Sequence, residues 1–263
     1  MPPEDHRDLS RRPTVPKSVA GRAGRPPLVN RELIISTARN IPADKLTMKS
    51  IADVLGVDRK TLHYYVKDLD SLRELVAFDV FESEFAQANL PADADWRDLL
   101  RAVAYALRAA LIAVGSLLSY ADISGIAGTG VLRRHEGNLR ALVHAGFDVE
   151  EAGLAYTFIS ELAYTGAREA LNIAEQLART DTAADPPPDV RNEVSQAAAE
   201  LPLLSQLVEL RGGSDYHNKQ FEFGIETLLV AMDVILARRE SRGAQGEGRR
   251  EDGEAPEAPR RRQ

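Results

Sequence analysis

The chain has 263 residues, 44% of them hydrophobic, which is enough for a sizeable core and typical of globular proteins. It contains no cysteine, which excludes a disulfide framework, a thiolate metal site and a cysteine nucleophile. The net charge of −7 is unevenly distributed, because the segment from Lys17 to Lys67 holds ten basic and only four acidic residues. A cationic end on an acidic body is expected of a DNA-binding head joined to a different kind of domain.

The two ends of the chain differ in composition from the middle. Residues 1–26 are rich in Pro, Arg and Ser and lack an apolar period, which predicts a disordered basic arm. Residues 240–263 are predicted to form a disordered charged tail. The start has no apolar segment of a secretory signal peptide, and the longest uninterrupted apolar runs are far short of a membrane span. We therefore expect a cytoplasmic protein.

The middle of the chain is predicted to be helical throughout. No run of alternating apolar and polar residues bounded by turns suggests a sheet. Asn30 is a good N-cap for a first helix, and Pro42 ends that helix. Thr47 caps a second helix, which ends at Gly56, a residue suited to the left-handed C-terminal position. Asp58 caps a third. Two capped helices joined by a tight turn predict a helix-turn-helix domain over residues 27–80, with a fourth helix from about residue 68.

A larger helical domain is predicted over residues 88–239. A long apolar stripe of helical period starts at Trp96 and continues to Val114, and residues 115–130 are Gly-rich and irregular. Further helices are expected at about 131–145, 148–177, 189–209 and 215–239, with a loop at 178–188. The last helix is apolar over more than one face, so we expect it to be buried from two sides, by its own core and by a partner. The predicted fold class is therefore all-α.

The third predicted helix has the residue types of a DNA-reading helix. Its first turn carries Arg59, Lys60 and Thr61, which suit hydrogen bonds to guanine and contact with a thymine methyl group. Lys49, early in the second helix, is placed to reach the same groove. The groups expected to hold phosphates are Thr47, His63, Tyr65 and Lys67. Leu62 and Tyr64 are expected in the core. The alternative interpretation is a solvated face on a structural helix, which leaves the double capping and the clustered aromatic residues without an explanation.

The segment before the head contains a short basic motif, Arg22-Ala-Gly-Arg-Pro-Pro27. Extended arms of this kind lay arginines into a narrow A·T minor groove, so Arg22 and Arg25 are candidate minor-groove contacts. The alternative is a solubilising tail with no DNA contact.

Residues 46–72, LTMKSIADVLGVDRKTLHYYVKDLDSL, resemble the head signature of the tetracycline-repressor (TetR) family. Weaker similarity to its C-terminal domain continues through Trp96-Arg97…Leu100, residues 137–147, Tyr164-Thr-Gly166 and residues 221–224. The resemblance implies an all-α homodimer in which a ligand in the body changes the separation of two DNA-binding heads. It also assigns base-reading positions to Lys49, Arg59, Lys60 and Thr61, and backbone positions to the four phosphate candidates.

The same resemblance implies a four-helix dimer interface formed by residues 148–177 and 215–239 of each copy. The interface residues expected there are Ile159, Leu228, Met232 and Ile235. The chain also departs from the family pattern. His63 stands where Tyr is usual, which makes that phosphate contact sensitive to pH. Leu69 stands where Lys is usual, which removes one phosphate contact.

The sequence identifies the ligand pocket less clearly than the DNA-binding head. Aromatic candidates for its wall are Trp96, Tyr105, Tyr120, Tyr156 and Tyr164, although aromatic residues in a helical body are core by default. The region aligned with the metal-binding histidine of tetracycline repressors, residues 121–124, lacks a histidine. Glu169 lies near the second metal position, one residue out of register. We therefore expect neither tetracycline nor magnesium, and no metal site or cofactor.

These features predict a homodimeric, ligand-responsive transcriptional regulator, most simply a repressor that a small molecule releases from a palindromic operator. In a bacterial cytoplasm it would associate with the nucleoid when bound to DNA. Two alternatives stay open. An architectural DNA-binding protein would bind DNA without sensing a ligand. An all-α enzyme with an accessory DNA head would need a nucleophile, metal or cofactor motif, and the sequence contains none that we recognise.

Overall fold

The computed structural model describes residues 29–91, 94–121, 129–180, 200–211 and 215–251, and all regular structure in these ranges is helical. The predicted arm, including Arg22 and Arg25, lies outside them. The helices, in chain order, are α1 (Arg31–Arg39), α2 (Met48–Leu55), α3 (Arg59–Leu62), α4 (Leu69–Gln87), α5 (Trp96–Val114), α6 (Thr129–His144), α7 (Val149–Thr180), α8 (Pro202–Arg211) and α9 (Tyr216–Glu251). Two 3₁₀ turns occur, at Ala43–Lys45 and Gly115–Tyr120.

The head consists of α1, α2 and α3; α1 contacts both α2 and α4, and α3 contacts α2. Its core is formed by apolar side chains that are at most 3% exposed: Ile34, Ala38, Leu46, Ile51, Ala52, Leu62, Val66 and Leu72. Leu46 before the cap of α2 and Ile51 inside that helix are both buried, as expected of a hydrophobic staple. The small core depends on this local geometry, because each of the short helices contributes only a few apolar side chains.

Helix α4 joins the head to the body without a break. The sequence places the end of the head near residue 80 and the start of the body near residue 88, yet α4 continues through that interval to Gln87. Its later side chains Phe81 and Phe85 stack with ring centroids 5.7 Å apart and are buried in the body core. One continuous helix therefore belongs to both regions.

The body is built around α5, which lies between α4 and α7. Together with the following 3₁₀ turn, the stretch Trp96–Tyr120 is long and apolar enough to cross a membrane, although charged residues interrupt its apolar runs. Its side chains Leu100, Val103 and Leu107 are buried against neighbouring helices. Burial accounts for part of its apolar character, since 39% of the apolar window lies inside the protein.

Some predicted boundaries were wrong. Helix α9 continues to Glu251, so the tail predicted to begin at residue 240 starts with helix. Helix α3 is a single turn that ends at Leu62, and residues 63–65 form turns. Helix α8 begins at Pro202, and the earlier part of the helix predicted at 189–209 lies outside the described residues, except for residues 200 and 201.

Candidate DNA interface and effector cavity

The turn between α2 and α3 is fixed by the caps that the sequence predicts. The Thr47 hydroxyl accepts a hydrogen bond from the backbone N–H of Ser50 at 3.0 Å, and the Ser50 hydroxyl accepts one from the Thr47 N–H, which completes a capping box. Gly56 ends α2 at φ +65°, where a side chain is strained. Asp58 then accepts from the Lys60 N–H at 2.8 Å and starts α3. These bonds set the angle between α2 and α3.

The predicted base-reading side chains lie on the surface of this motif. Lys49, Arg59 and Lys60 are exposed, and Thr61 is half-buried. Among the described residues, none of these three cations forms an ion pair. Unpaired cations at the start of a capped helix are free to meet an anionic partner.

The four predicted phosphate contacts are also at the surface, but two of them are already engaged in the protein. Thr47 uses its hydroxyl oxygen in the capping box, and its hydroxyl is also 3.1 Å from the Ser50 hydroxyl. His63 Nδ1 lies 3.0 Å from the Lys67 carbonyl oxygen. Tyr65 is 41% exposed and the Lys67 side chain is exposed.

Tyr64 is exposed rather than buried, which corrects the expectation that it belongs to the core. It is 78% exposed, whereas Leu62 is fully buried as expected. The expectation extended the helical period of α3 past its end, but the turns at residues 63–65 rotate Tyr64 outward. Tyr64 therefore joins Tyr65 as a second exposed aromatic residue beside the cations of α3.

Helix α4 carries contacts to both regions of the protein. Its N-cap, Asp68, accepts from the Ser71 N–H at 2.8 Å, and this bond lowers the pKa of the Asp68 carboxyl group. Arg73 donates to the Tyr120 hydroxyl at 3.0 Å, and its guanidinium lies 5.3 Å from the centre of that ring. Tyr120 ends the 3₁₀ turn of the body, so this pair ties the body to the head-bearing helix.

A cleft of about 400 Å³ lies between the C-terminal end of α4 and one face of α6. It is lined by the segment that follows α4, by one side chain of α5 and by α6: Ala88, Asn89, Leu90, Pro91, Leu99, Arg134, Gly137, Asn138 and Ala141. Arg134 donates to the carbonyl oxygens of Ala86 and Ala88, the latter at 3.0 Å, so one wall of the cleft holds the end of α4.

Asn138 is the most unusual side chain of the cleft. It is 6% exposed, and its Nδ2 group has no hydrogen-bond partner within the described residues. A buried amide donor without a partner is costly, by about 1–3 kcal/mol. The sequence gives no indication of this role for Asn138, because an Asn inside a helical pattern carries no signal of burial.

Asn138 has two titratable neighbours on the body side. Burial raises the pKa of the Tyr156 phenol, and the nearby Asn138 side chain offsets part of that shift. The Asn138 Nδ2 group nevertheless forms no hydrogen bond of ordinary geometry within the described residues. The His135 ring centre is 4.0 Å from that of Tyr156, and burial lowers the pKa of His135. Both groups are therefore neutral near pH 7, so these two neighbours add no charge beside Asn138, and Arg134 is the cation of the cleft.

The five aromatic residues predicted to line the pocket do not converge on this cleft. Trp96 packs edge-on against Phe147 at 5.1 Å in the core, and Tyr120 binds Arg73. Tyr105 lies on the outer side of α5, where its hydroxyl reaches Glu222 at 3.4 Å, and burial together with that carboxylate raises its pKa. Tyr164 packs against the core, half-buried. Only Tyr156 is near the cleft, through Asn138. Helical position alone did not show which side of each helix faces it.

A family model described as tetracyclin repressor-like, C-terminal domain, matches residues 90–235. This chain belongs to the tetracycline-repressor family. The class D tetracycline repressor of Escherichia coli is 25% identical over 217 residues, which cover 79% of this chain and 91% of that protein. The class C repressor of Escherichia coli is 29% identical over 141 residues, which cover 50% of this chain and 62% of that protein.

Solved structures of TetR proteins share the fold. ActR of Streptomyces coelicolor in complex with (S)-DNPA superimposes with a TM-score of 0.63 at 21% identity, over 80% of this chain and 99% of that one. A tetracycline repressor variant of Acinetobacter baumannii AYE in complex with minocycline gives a TM-score of 0.56 at 16% identity, over 80% and 99%. TetR proteins are ligand-responsive, DNA-binding transcriptional regulators with a helix-turn-helix head and a helical ligand-binding domain, and this chain is one of them.

This TetR chain exposes an apolar surface on α7 and α9. The residues are large and 44–74% exposed: Leu154, Phe158, Phe223, Val230 and Val234. Two of the four predicted interface residues lie elsewhere. Ile159 and Met232 are at most 2% exposed, because they face the core of their own protomer. Leu228 and Ile235 are half-buried at its edge.

The arginines of α5 bond side chains in the first half of α9. Arg97 bonds Asp233, Arg101 donates to both Glu226 oxygens at 2.7 and 2.9 Å, and Arg108 donates to Asn218 at 2.8 Å. The Glu226 carboxylate raises the pKa of Arg101, and Arg101 in turn lowers the pKa of Glu226. These partners fix the register of the two antiparallel helices.

Glu169, which lies near a metal-binding position of tetracycline repressors, contacts a histidine. Its carboxylate lies 3.4 Å from His217 Nε2. Among the described residues, no group of three or more His, Cys, Asp or Glu side chains is arranged to hold a metal ion.

Proposed function

We propose that the protein is a homodimeric repressor that binds a palindromic operator through α3 and is released by a small molecule in the cleft at Asn138. The observation that carries the proposal is the exposed surface of the head, where Lys49, Arg59, Lys60 and Lys67 stand without an ion pair among the described residues. Unpaired cations beside two exposed tyrosines match the phosphates and base edges of a duplex.

The proposed arrangement assigns different tasks to the cations. Arg59 and Lys60 occupy the first turn of α3, so with Lys49 and Thr61 they meet base edges in the major groove. Lys67, His63, Tyr65 and Thr47 meet the phosphates beside the groove. Arg22 and Arg25 of the N-terminal arm are proposed to enter the adjoining minor groove.

The proposed effector is a largely apolar molecule that offers a hydrogen-bond acceptor to Asn138 Nδ2. Such a molecule would satisfy the unpaired donor, and the neighbouring His135 and Tyr156 present no charge to it. It would also contact Arg134, which holds the C-terminal carbonyl groups of α4. Displacement of Arg134 would loosen α4, the helix that carries the head, and change the separation of the two heads.

The proposed dimer places α7 and α9 of two copies against each other. Leu154, Phe158, Phe223, Val230 and Val234 form the surface that a partner would cover. A two-fold dimer holds two reading helices roughly 34–36 Å apart, or a multiple of that, which is why the operator is proposed to be palindromic. Such a regulator would work in the bacterial cytoplasm.

Selection from a random duplex library tests the DNA-binding part. The purified protein should enrich a palindromic sequence, and Arg59→Ala should enrich a sequence with relaxed preference at one base pair in each half-site. Enrichment without any sequence preference would favour the architectural alternative and refute the repressor proposal.

Mass spectrometry of small molecules that co-purify with the protein tests the effector part. Asn138→Leu is the informative variant, because it removes the unpaired donor and keeps an apolar side chain of similar size. It should fold with an unchanged or higher melting temperature, keep operator binding and lose the co-purified molecule. A molecule that still binds Asn138→Leu with unchanged affinity would place the effector site elsewhere.

A further inference from the structure

The His63 ring is held in one orientation by the chain that follows it. His63 is the C-cap of α3 and is exposed, and its Nδ1 atom lies 3.0 Å from the Lys67 carbonyl oxygen. A carbonyl oxygen only accepts hydrogen bonds, so Nδ1 must carry the proton and donate it. This bond fixes the tautomer of the neutral ring.

The other ring nitrogen then has a defined chemistry. With the proton on Nδ1, Nε2 of the neutral ring carries a lone pair and can only accept a hydrogen bond. Phosphate oxygens are also acceptors, so neutral His63 cannot donate to a phosphate group. Protonation converts Nε2 into a charged donor, which forms a strong, short hydrogen bond with phosphate. A tyrosine at this position would carry its donor at any pH below its own titration.

The side chains around His63 are predominantly cationic, so bound phosphate groups would change the local charge balance. The charged groups of the adjoining elements are Lys49 and Asp53 on α2, Asp58 at the start of α3, Arg59 and Lys60 on α3, and Lys67 and Asp68 before α4. The four cations outnumber the three carboxylates, so the surface around the ring is cationic before DNA binds. Phosphate groups on this surface reverse the local balance and stabilise an imidazolium ion.

We propose that His63 is a proton-dependent phosphate contact, so that each head takes up as much as one proton when it binds a duplex. The inference rests on the proposed DNA-binding surface. Because the bound state holds the proton more tightly than the free state, DNA affinity rises as the pH falls through the neutral range in which imidazole titrates. A repressor of this kind holds DNA more tightly in an acidified cell.

The contact is to the backbone, so a mixed-sequence duplex at low salt is a sufficient probe. Isothermal titration in two buffers of different ionisation enthalpy counts the protons taken up, and anisotropy titrations from pH 5.5 to 8 follow the affinity. The wild-type protein should bind about three- to tenfold more tightly per head at the low end of this range. It should also take up a fraction of a proton per head within this pH range.

Two substitutions separate the roles of the two ring nitrogens. The amide nitrogen of His63→Asn replaces Nδ1 and keeps the bond to the Lys67 carbonyl group, but the variant has no outer donor and does not titrate. The amide nitrogen of His63→Gln replaces Nε2 and offers a donor at every pH. Both variants should lose the proton uptake. His63→Gln should bind more tightly than His63→Asn at pH 8.

His144→Asn is the matched control, because His144 is an exposed histidine at the end of α6 in the body. It should leave both the proton uptake and the pH dependence unchanged. If His63→Asn keeps the wild-type pH dependence, or if the wild-type protein takes up no proton, the inference is wrong. If the wild-type protein binds no duplex at any pH, the proposed DNA-binding function itself fails, and that result is distinct from pH-independent binding.

Discussion

The head and the body of this TetR protein use the same basic residue types in opposite ways. In the body, Arg97 and Arg101 each bond a carboxylate on α9 and a second one on their own helix or at its N-cap. In the head, Arg59, Lys60 and Lys67 have no such partner within the described chain. Paired cations hold helices in register, whereas unpaired cations remain available to another molecule.

Counting charge therefore says less than locating its partners. The net charge of −7 suggests a protein that DNA would repel. Yet several acidic groups of the body pair with arginines of the body, and Asp58 and Asp68, which flank α3 in the chain, accept hydrogen bonds from backbone N–H groups. The effective charge at the head surface is set by the few groups left over. Four experiments test this contrast between the head and the body.

The largest effect is expected from charges on the exposed apolar surface of the body. Phe223→Asp combined with Val230→Asp should produce monomers, because two buried carboxylates without partners are expensive at an interface. Loss of the second head should weaken operator binding by about 10²–10⁴-fold. Sedimentation and anisotropy measure the two consequences. Leu132→Asp, an equally drastic change at an exposed position of α6, is the control and should stay dimeric. A wild-type protein that sediments as a monomer at micromolar concentration would contradict the dimer.

A smaller effect is expected from an unpaired arginine of the head. Arg59→Ala should cost about 1–3 kcal/mol on the operator and much less on scrambled DNA, since a base contact is lost. Competition titrations with both duplexes measure the difference. Equal losses on the two duplexes would identify Arg59 as a phosphate contact and would mean that α3 is oriented differently in the groove.

A third experiment changes a cation that is proposed to hold phosphate. Lys67→Ala should weaken binding to all sequences alike and reduce the magnitude of the salt slope by about one per head. Titrations at several salt concentrations give the slope. A change of specificity with an unchanged slope would assign Lys67 to base reading instead.

The smallest effect is expected from a paired arginine of the body. Arg101→Met keeps the apolar stem and removes the bonds to Glu226 and Asp98, which are more than half exposed. The free energy of unfolding should fall by less than about 1 kcal/mol, because exposed ion pairs contribute little. DNA affinity should not change. A loss of DNA affinity as large as that of Arg59→Ala would remove the distinction between the two kinds of arginine.

The sequence predicted the head more accurately than the body, and the reason is physical. Thr47, Gly56 and Asp58 act on backbone groups within a few residues of themselves, so their roles as caps follow from local pattern alone. The prediction for Tyr64 was wrong because no residue in the sequence marks the end of α3, so the helical period was continued past Leu62.

The pocket and the dimer surface depend on which neighbour each helix face meets. A helix that is apolar on two sides does not reveal which side packs inside its own chain, so Met232 and Ile159 were assigned to the interface although they lie in the core. Asn138 was missed because its significance arises from burial without a partner. Both properties come from tertiary packing, which a single sequence does not display.

The burial of Trp96 against Phe147 has an optical consequence. Trp96 is the single tryptophan of the chain, and it lies in the body, whereas Tyr64 and Tyr65 are the aromatic residues exposed on the head. Fluorescence excited at the red edge of the tryptophan band will therefore come from the body alone. Its emission maximum and anisotropy will depend on the packing at the start of α5. A dye attached to the head would report on the head. The protein thus carries an intrinsic spectroscopic probe in one of its two regions, and energy transfer to such a dye would follow their relative movement.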